Sequence, residues 1–334
     1  MSTIRQVAKL SGVSIGTVSK VLNGCDDRVD PESRERILAS IRQLRYKPPP
    51  FERNQRPEIV KNLGMIVPDL FEHPLVRNSY LHLLLDGVLE RAAFHQWSIT
   101  IFVATMWDDV GNAVRRKYDG RCDGLIVVAP QPSHDIVPSL QRRGEPVVLI
   151  GTTAWLEHIS SIDIDNFEAG RIVAQHFHSL GHRKLAYVAH NQDHVSSQER
   201  YAGFCSIAGG DTPRYFLDER LSMTAFVTEL RDMGRNRPTG IMAWHDGMAI
   251  RLIKAFDSAG IHVPGDISVV GVDNLWDAAD EGVQLTSIEN PLHEIGLRAA
   301  SMTIDRVLDP SMPSESVKLP PRLILKGTTA RLLA

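Results

Sequence analysis

Apolar residues along this chain follow two rhythms, and the change of rhythm divides it. Near the N-terminus Ile4, Val7 and Ala8 recur at helical spacing, which predicts a short helix with one buried face. Gly12 breaks the run and supplies a turn. Ser14 then stands where its hydroxyl can accept from the backbone N–H near Thr17 and cap a second helix. In that helix Val18, Val21 and Leu22 point inward, and Ile15, Gly16, Thr17, Ser19 and Lys20 are left outside. Asp30-Pro31 starts a third helix, since Asp30 can cap and Pro31 suits the first turn. Ile37, Leu38, Ile41 and Leu44 share one face of it and can close a three-helix core. Two short helices joined by a glycine turn, with small polar residues and one cation outward, make a helix-turn-helix. The second helix of such a pair is the part that enters a DNA major groove.

From residue 60 onward the rhythm changes. Continuous apolar runs appear at LGMIVP (63–68), ITIFVA (99–104), GLIVVA (124–129), PVVLIG (146–151), KLAYVAH (184–190), GIMAW (240–244) and ISVVGV (267–272). Helical patterns lie between them, at 76–95, 167–180, 196–208 and 246–259. Apolar strands alternating with helices predict buried parallel sheets with right-handed crossovers. So many strands, with SIDID (161–165) in mid-run, suggest two doubly wound halves with a cleft between them. The late helix 292–308 and the strand RLILK (322–326) are expected to return to the first half. The expected fold is an all-α helix-turn-helix head joined to an α/β body of two doubly wound parallel-sheet subdomains. The head spans 1–47, a Pro-rich hinge or linker 48–60, and the body 61–334. Its first subdomain covers about 61–161 plus 291–326 and its second about 162–290.

Composition is ordinary for folded protein, with 43% apolar and 23% charged residues. The net charge of -3 hides an asymmetry. Residues 1–56 hold eleven Lys/Arg against six Asp/Glu, whereas the remainder holds 26 against 34. A basic segment on an acidic body is the electrostatic footprint of a DNA-binding head on a core that does not bind DNA. No secretory signal and no membrane span is visible, and the scattered Cys25, Cys122 and Cys205 form no CxxC pair. Free thiols in a reducing cytoplasm are the expectation.

Several motifs fail on context. GVSIG (12–16) fits the nucleophile-elbow pattern, but a helix rather than a strand precedes it, so Ser14 is a cap. His293-Glu294 begins HExxH, but position 297 is Leu. No glycine-rich phosphate cradle opens a helix after the first strand. His176 and His178 are two apart and cannot share a helix face. No catalytic residue, metal or cofactor is expected.

The run V-A-K-L-S-G-V-S-I-G-T-V-S-K-V-L-N (7–23) closely resembles the N-terminal domain of the lactose-repressor/galactose-repressor (LacI/GalR) family. The pieces GMIVPDLFEHP, IDIDNFEAGRI, LGHRKLAYV, ERYAGF, HDGMAI, VPGDISVVGVDN and LPPRLILKGTT extend the resemblance through the body. It implies base reading by Ile15, Gly16 and Lys20, and phosphate contacts from Thr3, Ser14, Thr17, Ser19 and Asn23. In most of the family Y-x-P-N-x-x-A-x-x-L follows the third helix and wedges a leucine pair into the minor groove. Here Pro49, Glu52 and Gln55 stand at the Asn, Ala and Leu positions, so a stiff linker is the plainer reading, with Phe51 as an alternative wedge.

Ligands of open parallel sheets bind beyond the carboxyl ends of strands. That rule selects Asp69 and Phe71, His190-Asn191, Trp244-His245-Asp246 and Asp273-Asn274. The family's effector contacts carry over best onto Arg200 and Asp273. A carboxylate and a guanidinium can hold sugar hydroxyls, and Phe71 or Trp244 can stack on a sugar face. Asp165 is a further candidate; Asp246 and Asp273 could instead cap the segments that follow them. The resemblance implies a cytoplasmic transcriptional regulator, a repressor, acting as a homodimer on double-stranded DNA with a palindromic operator, under control of a sugar effector. No terminal heptad run follows Ala330, which favours a dimer over a tethered tetramer. Two other classes stay open on residues alone: a two-lobed solute-binding protein without a DNA role, and an α/β enzyme with an unrecognised site.

Overall fold

Thr3 opens the first helix, α1 (Ile4–Ser11), with a capping box. Its hydroxyl accepts from the Gln6 amide at 3.4 Å while the Gln6 side chain accepts from the Thr3 amide at 2.8 Å. Gly12 ends the helix in the left-handed region, at φ 71°, a conformation that favours glycine. Ser14 Oγ accepts from the Thr17 amide at 3.0 Å and opens α2 (Ile15–Leu22). Asp30 Oδ1 accepts from the Ser33 amide at 2.8 Å and opens α3 (Pro31–Gln43), with Pro31 in its first turn. Those hydrogen bonds hold the Asp30 carboxyl below the ordinary carboxylate range. Val7, Val18 and Ile37 are fully buried at the centre, with Ala8, Val21 and Tyr46 around them and Ile4, Leu38, Ile41 and Leu44 at the margin.

This computed structural model describes residues 3–22, 29–44, 46, 59–67, 78–103, 121–130, 136–142, 145–152, 158–190, 194–217, 220–275 and 282–332. The chain divides into two units, Met1–Glu58 and Ile59–Ala334. Asn23, Asp69, Phe71 and the linker positions Pro49, Phe51, Glu52 and Gln55 lie outside the described residues, as does the side chain of Leu22.

The second unit holds β1 (Asn62–Val67), α4 (Ser79–Phe94), β2 (Ser98–Val103), β3 (Gly124–Val128), α5 (Ile136–Arg142), β4 (Val147–Ile150) and β5 (Ser160–Ile164). Then come α6 (Asn166–Ser179), β6 (Leu185–Ala189), α7 (Val195–Ala208), β7 (Arg214–Phe216), α8 (Arg220–Asp232), β8 (Gly240–Ala243) and α9 (Asp246–Ser258). The chain closes with β9 (Ser268–Asp273), β10 (Ser287–Glu289), α10 (Leu292–Leu308), β11 (Ser316–Leu319) and β12 (Arg322–Ile324). Among the described residues these strands form two six-stranded sheets, in the orders β11-β5-β4-β3-β1-β2 and β12-β10-β9-β8-β6-β7. Every pairing is parallel except β10 with β12.

The strands are apolar throughout because both faces of each sheet are covered. Leu63, Met65 and Val67 of β1 face one core and Ile66 the other; Ile126 and Val128 of β3 alternate likewise with Leu125 and Val127. One buried cluster runs along a face of both sheets, from Leu63 and Val148 to Tyr187 and Val272. The expected doubly wound halves are present, with two corrections. The first half does not end at residue 161; β5 continues through Ile164, and the chain crosses only then into α6. The strand RLILK does not return to the first half. Its residues Arg322, Leu323 and Ile324 pair antiparallel with Glu289, Ile288 and Ser287 in the second sheet. It is β11 that joins the first sheet, beside β5. Pro320 and Pro321, which carry no N–H for a ladder, separate the two strands and release the chain from the first sheet's edge. The helix 292–308 does return to the first half, packing on α4 and on β3, β4 and β5.

Each lobe is built around a pair of helices in close contact. A Cβ on Gly170 of α6 would run into the Arg200 carbonyl of α7, and a Cβ on Gly203 of α7 would run into the Phe167 carbonyl of α6. In the first lobe Gly87 of α4 lies against the His293 carbonyl of α10, and Gly296 of α10 against that of Leu84. Because backbone opposes backbone at these points, an added methyl cannot be accommodated by turning a side chain. Gly203→Ala is expected to destabilise the protein by about 1–3 kcal/mol, the usual cost of overpacking, read as a lower urea midpoint for the full chain.

Candidate functional site

The exposed face of the head is made by α2 and the ends that flank it. Thr3, Ser14, Ile15, Gly16 and Lys20 are exposed, and Thr17 and Ser19 are half-buried. Ile15 is 44% exposed, unusual for so large an apolar side chain beside a core made of its neighbours. Ser14 and Thr17 are tied together: besides the cap, their hydroxyls lie 2.8 Å apart.

The second unit carries a buried polar cluster at the carboxyl ends of its strands. Ile162 and Ile164 of β5 are buried in the apolar core, and Asp163 between them is 1% exposed. Its carboxylate accepts from the Ile164 amide at 2.8 Å and from Asn166 Nδ2 at 2.7 Å. Asn166, the first residue of α6, faces both ways: its Oδ1 accepts from Arg200 Nε at 2.8 Å. The Arg200 guanidinium, carried on α7 and 5% exposed, also donates to the Trp244 carbonyl at the end of β8. Asp273, at the end of β9, accepts from Asn290 Nδ2 at 3.0 Å. It adopts φ 109°, a region that L side chains rarely enter. Asp246 accepts from Ser287 Oγ at 2.6 Å and from the Leu275 amide at 2.8 Å. His245 caps α9, its Nδ1 accepting from the Met248 amide at 3.0 Å. The Trp244 ring lies against His194 and His245, at centroid distances of 4.8 and 4.6 Å. Its indole Nε1 is buried and has no hydrogen-bond partner among the described residues, and the same holds for Asn290 Oδ1.

Burial governs the charges here. It pushes the Asp163 carboxyl up to about 6, against the pull of Arg200 and Asn166. Asp273 rises to about 6 for the same reason, opposed by Arg200 and Asn290 and reinforced by Asp163. Burial and the neighbouring Asp273 charge lift Asp246 to about 8. Burial, with Arg251 and Arg200 nearby, depresses His245 to about 3, so its ring stays neutral and its Nδ1 can accept. Tyr80, at the start of α4 in the first lobe, is raised by burial and by the charges of both Asp163 and Asp273. Its hydroxyl would sit 3.2 Å from a Cβ on Gly151, just beyond β4. The first and second lobes therefore face one another across this cluster.

Of the sequence-selected effector residues, Arg200, Trp244 and Asp273 come together here. Asp165 does not join them: its Oδ1 accepts from the Glu168 amide at 3.0 Å and caps α6. Asp246 is buried in the cluster and is not a cap, since His245 performs that task. His190 is exposed beyond β6. Residues that the sequence reading missed are Asp163, Asn166, Asn290 and Tyr80. One signal was available for Asp163, a carboxylate alternating with two isoleucines in a strand otherwise buried.

Residues 3–49 match the family model for bacterial regulatory proteins, lacI family, and residues 174–329 that for the periplasmic binding protein-like domain. This chain belongs to the LacI family. The HTH-type transcriptional repressor PurR of Photobacterium profundum is 28% identical over 345 residues, covering 99% of this chain and 100% of that protein. Among solved structures, the transcriptional regulator CelR–cellobiose complex matches with a TM-score of 0.75 at 25% identity, covering 98% of this chain and 100% of that one. The lac repressor dimer bound to operator and the anti-inducer ONPF matches in fold with a TM-score of 0.71 at 22% identity, covering 98% and 99%. LacI-family proteins are transcriptional regulators rather than enzymes, so the enzyme reading is set aside, and the matched head sets aside a solute-binding protein without one.

In this LacI-family protein the buried acids make stability depend on pH. An aspartate titrating near 3.8 when unfolded and near 8 when folded binds more protons in the folded state across that window. Its contribution is fully present below the unfolded value and is lost as pH rises through the folded one. Between pH 6.5 and 8 the slope from Asp246 is on the order of 1 kcal/mol per pH unit and declines toward pH 8, where the folded-state group is half ionised. Asp246→Asn, which keeps an acceptor oxygen for the Leu275 amide and offers Ser287 Oγ a donating NH2 in place of the oxygen it now donates to, is expected to flatten the fall in stability over that interval in urea unfolding.

Proposed function

We propose that this protein is a sequence-specific transcriptional repressor whose operator affinity is set by a sugar effector held between the two lobes of its second unit. One observation carries the reading: a lacI-type head shares a chain with a two-lobed body whose lobes meet over buried acids and a buried guanidinium. The similar PurR is named a repressor, CelR was solved with cellobiose, and the lac repressor was solved as a dimer on operator. In the head, Lys20 is the side chain that can donate to a guanine edge, and Ile15 can meet a thymine methyl. Gly16 has no side chain to read with. Thr3, Ser14, Thr17, Ser19 and Asn23 set register through phosphates. One head covers a half-site, so a homodimer reads a palindrome. In the body, Arg200 and Asp273 hold sugar hydroxyls and Trp244 offers an aromatic face; Asp69 and Phe71, which follow β1 in the sequence, are further effector contacts in this reading. Closing the lobes on effector changes the spacing of the paired heads, and the coupling is reciprocal. The protein works in the cytoplasm, where its DNA is.

Fluorescence anisotropy tests this, first on duplexes from upstream of the protein's own gene and then on duplexes selected from random DNA. Tight binding to one duplex over its scrambled control, shifted by a pool of mono- and disaccharides, is the expected result. Lys20→Ala should weaken binding to the specific duplex by about tenfold or more, in line with loss of a base contact, with a smaller effect on scrambled DNA. Arg200→Ala should keep duplex binding and lose the sugar response. Equal, salt-steep binding to all duplexes would defeat the repressor reading.

A further inference from the structure

We infer that the cleft selects an uncharged polyhydroxy effector over its anionic counterparts, and that Asp163 is a residue that sets this discrimination. The inference rests on the effector reading above and assigns a role to a side chain which that reading does not use.

The chemistry of the floor is mixed in a particular way. Arg200 spends hydrogen bonds on Asn166 Oδ1 and the Trp244 carbonyl. Among the described residues no carboxylate reaches it within ion-pair distance, although Asp163 and Asp273 both act on the same buried space. The guanidinium is thus flanked by two acids without being capped by either. Asp163 is 1% exposed and Asp273 7%, so water screens their charges little. The remaining groups follow the same pattern, with the buried Trp244 Nε1 as a donor and Asn290 Oδ1 as an acceptor, both without partners among the described residues.

Three ligand chemistries meet this floor differently. A hydroxyl group fits both halves, because its oxygen accepts from Arg200 while its hydrogen donates to a carboxylate. A carboxylate or phosphate satisfies Arg200 but brings a third negative charge beside two buried ones. An ammonium satisfies the acids but faces the guanidinium and leaves its donors unmatched. Rejection of the wrong charge is a repulsive device, and it costs the neutral ligand nothing. Asp163 is central because it is doubly connected. Its charge acts on both Tyr80 of the first lobe and Asp273 of the second, and its bond to Asn166 Nδ2 orients the amide whose oxygen holds Arg200 Nε.

The test uses the full-length protein and ligands of one shape and two charges. Uncharged mono- and disaccharides are screened by thermal shift together with matched uronates and uronamides, and hits are titrated by calorimetry. Wild type is expected to bind at least one uncharged sugar, and to bind the uronamide at least 100-fold more tightly than the matching uronate. Asp163→Asn is expected to shrink that ratio at least tenfold through a gain in uronate affinity relative to the uronamide, an outcome that a merely structural role, which would weaken both ligands alike, would not produce. A uronate bound as tightly as its uronamide, or a ratio unmoved by Asp163→Asn, overturns the inference and leaves the effector reading standing. No binding by any sugar in the screen overturns the effector reading and the inference with it. Should Asp163→Asn not fold, the wild-type ratio of uronamide to uronate decides.

Discussion

The close approach of α6 and α7 is the constraint on which the second lobe's chemistry depends. Gly170 lies over the carbonyl of Arg200 itself, and Gly203 over that of Phe167. The contact that sets the helix spacing therefore also places the residue whose guanidinium reaches Asn166 at 2.8 Å. A wider seam would carry Arg200 away from Asn166 and break the chain of hydrogen bonds that runs from Asp163 to the end of β8. The first lobe repeats the device in α4 and α10, and its contributions to the cluster are Tyr80, at the start of α4, and Asp163, on β5. Both sides of the cleft are thus mounted on helices fixed by backbone-to-backbone contact rather than by adjustable side chains.

What those helices hold in place is unfavourable by itself. Burying a carboxylate costs free energy unless hydrogen bonds and opposite charge offset the loss of water. Asp163, Asp246 and Asp273 each have such partners, yet all three remain shifted toward the protonated form. The offset is incomplete, which is the signature expected where polar groups are kept for a ligand rather than for folding. Trp244 Nε1 and Asn290 Oδ1 point the same way. The apolar core supplies the stability that permits this, through a buried cluster continuous along one face of both sheets.

The fold was legible in the sequence because both rhythms are strong. Helical spacing in the head and apolar runs in the body each follow directly from which faces are covered, and Asp30, Ser14 and Gly12 announce their caps in one-dimensional order. The misplaced strand shows where that reading stops. RLILK looks like any other apolar strand, and only its pairing with β10, beyond the Pro320-Pro321 break, reveals its sheet. The site was legible only in part, for a related reason. Strand-end positions gave Trp244 and Asp273, and the family resemblance gave Arg200, but Asp163 lies inside a strand and Asn290 is recognisable only through its contact with Asp273. Asp165, the neighbouring acid raised as a further candidate, accepts from the Glu168 amide and so serves the helix.

Asp273 joins strain to pre-organisation. Its φ of 109° is unfavourable for a residue with a Cβ, and such a conformation persists only where its surroundings over-determine it. They do so here from three directions. Asn290 donates to its carboxylate, the following Asn274 amide donates to Ser287 Oγ at 3.1 Å, and Lys326 Nζ donates to Asn274 Oδ1 at 2.8 Å. Ser287 in turn donates to Asp246, which accepts from Leu275. The end of β9 is therefore locked to β10, to α9 and to the segment after β12 before anything enters the cleft. A ligand meeting Asp273 would find the carboxylate already aimed, and it would not have to supply the free energy of ordering it. Any ligand-driven change must then lie in how the two rigid lobes meet, because the groups within the second lobe have little freedom left to rearrange.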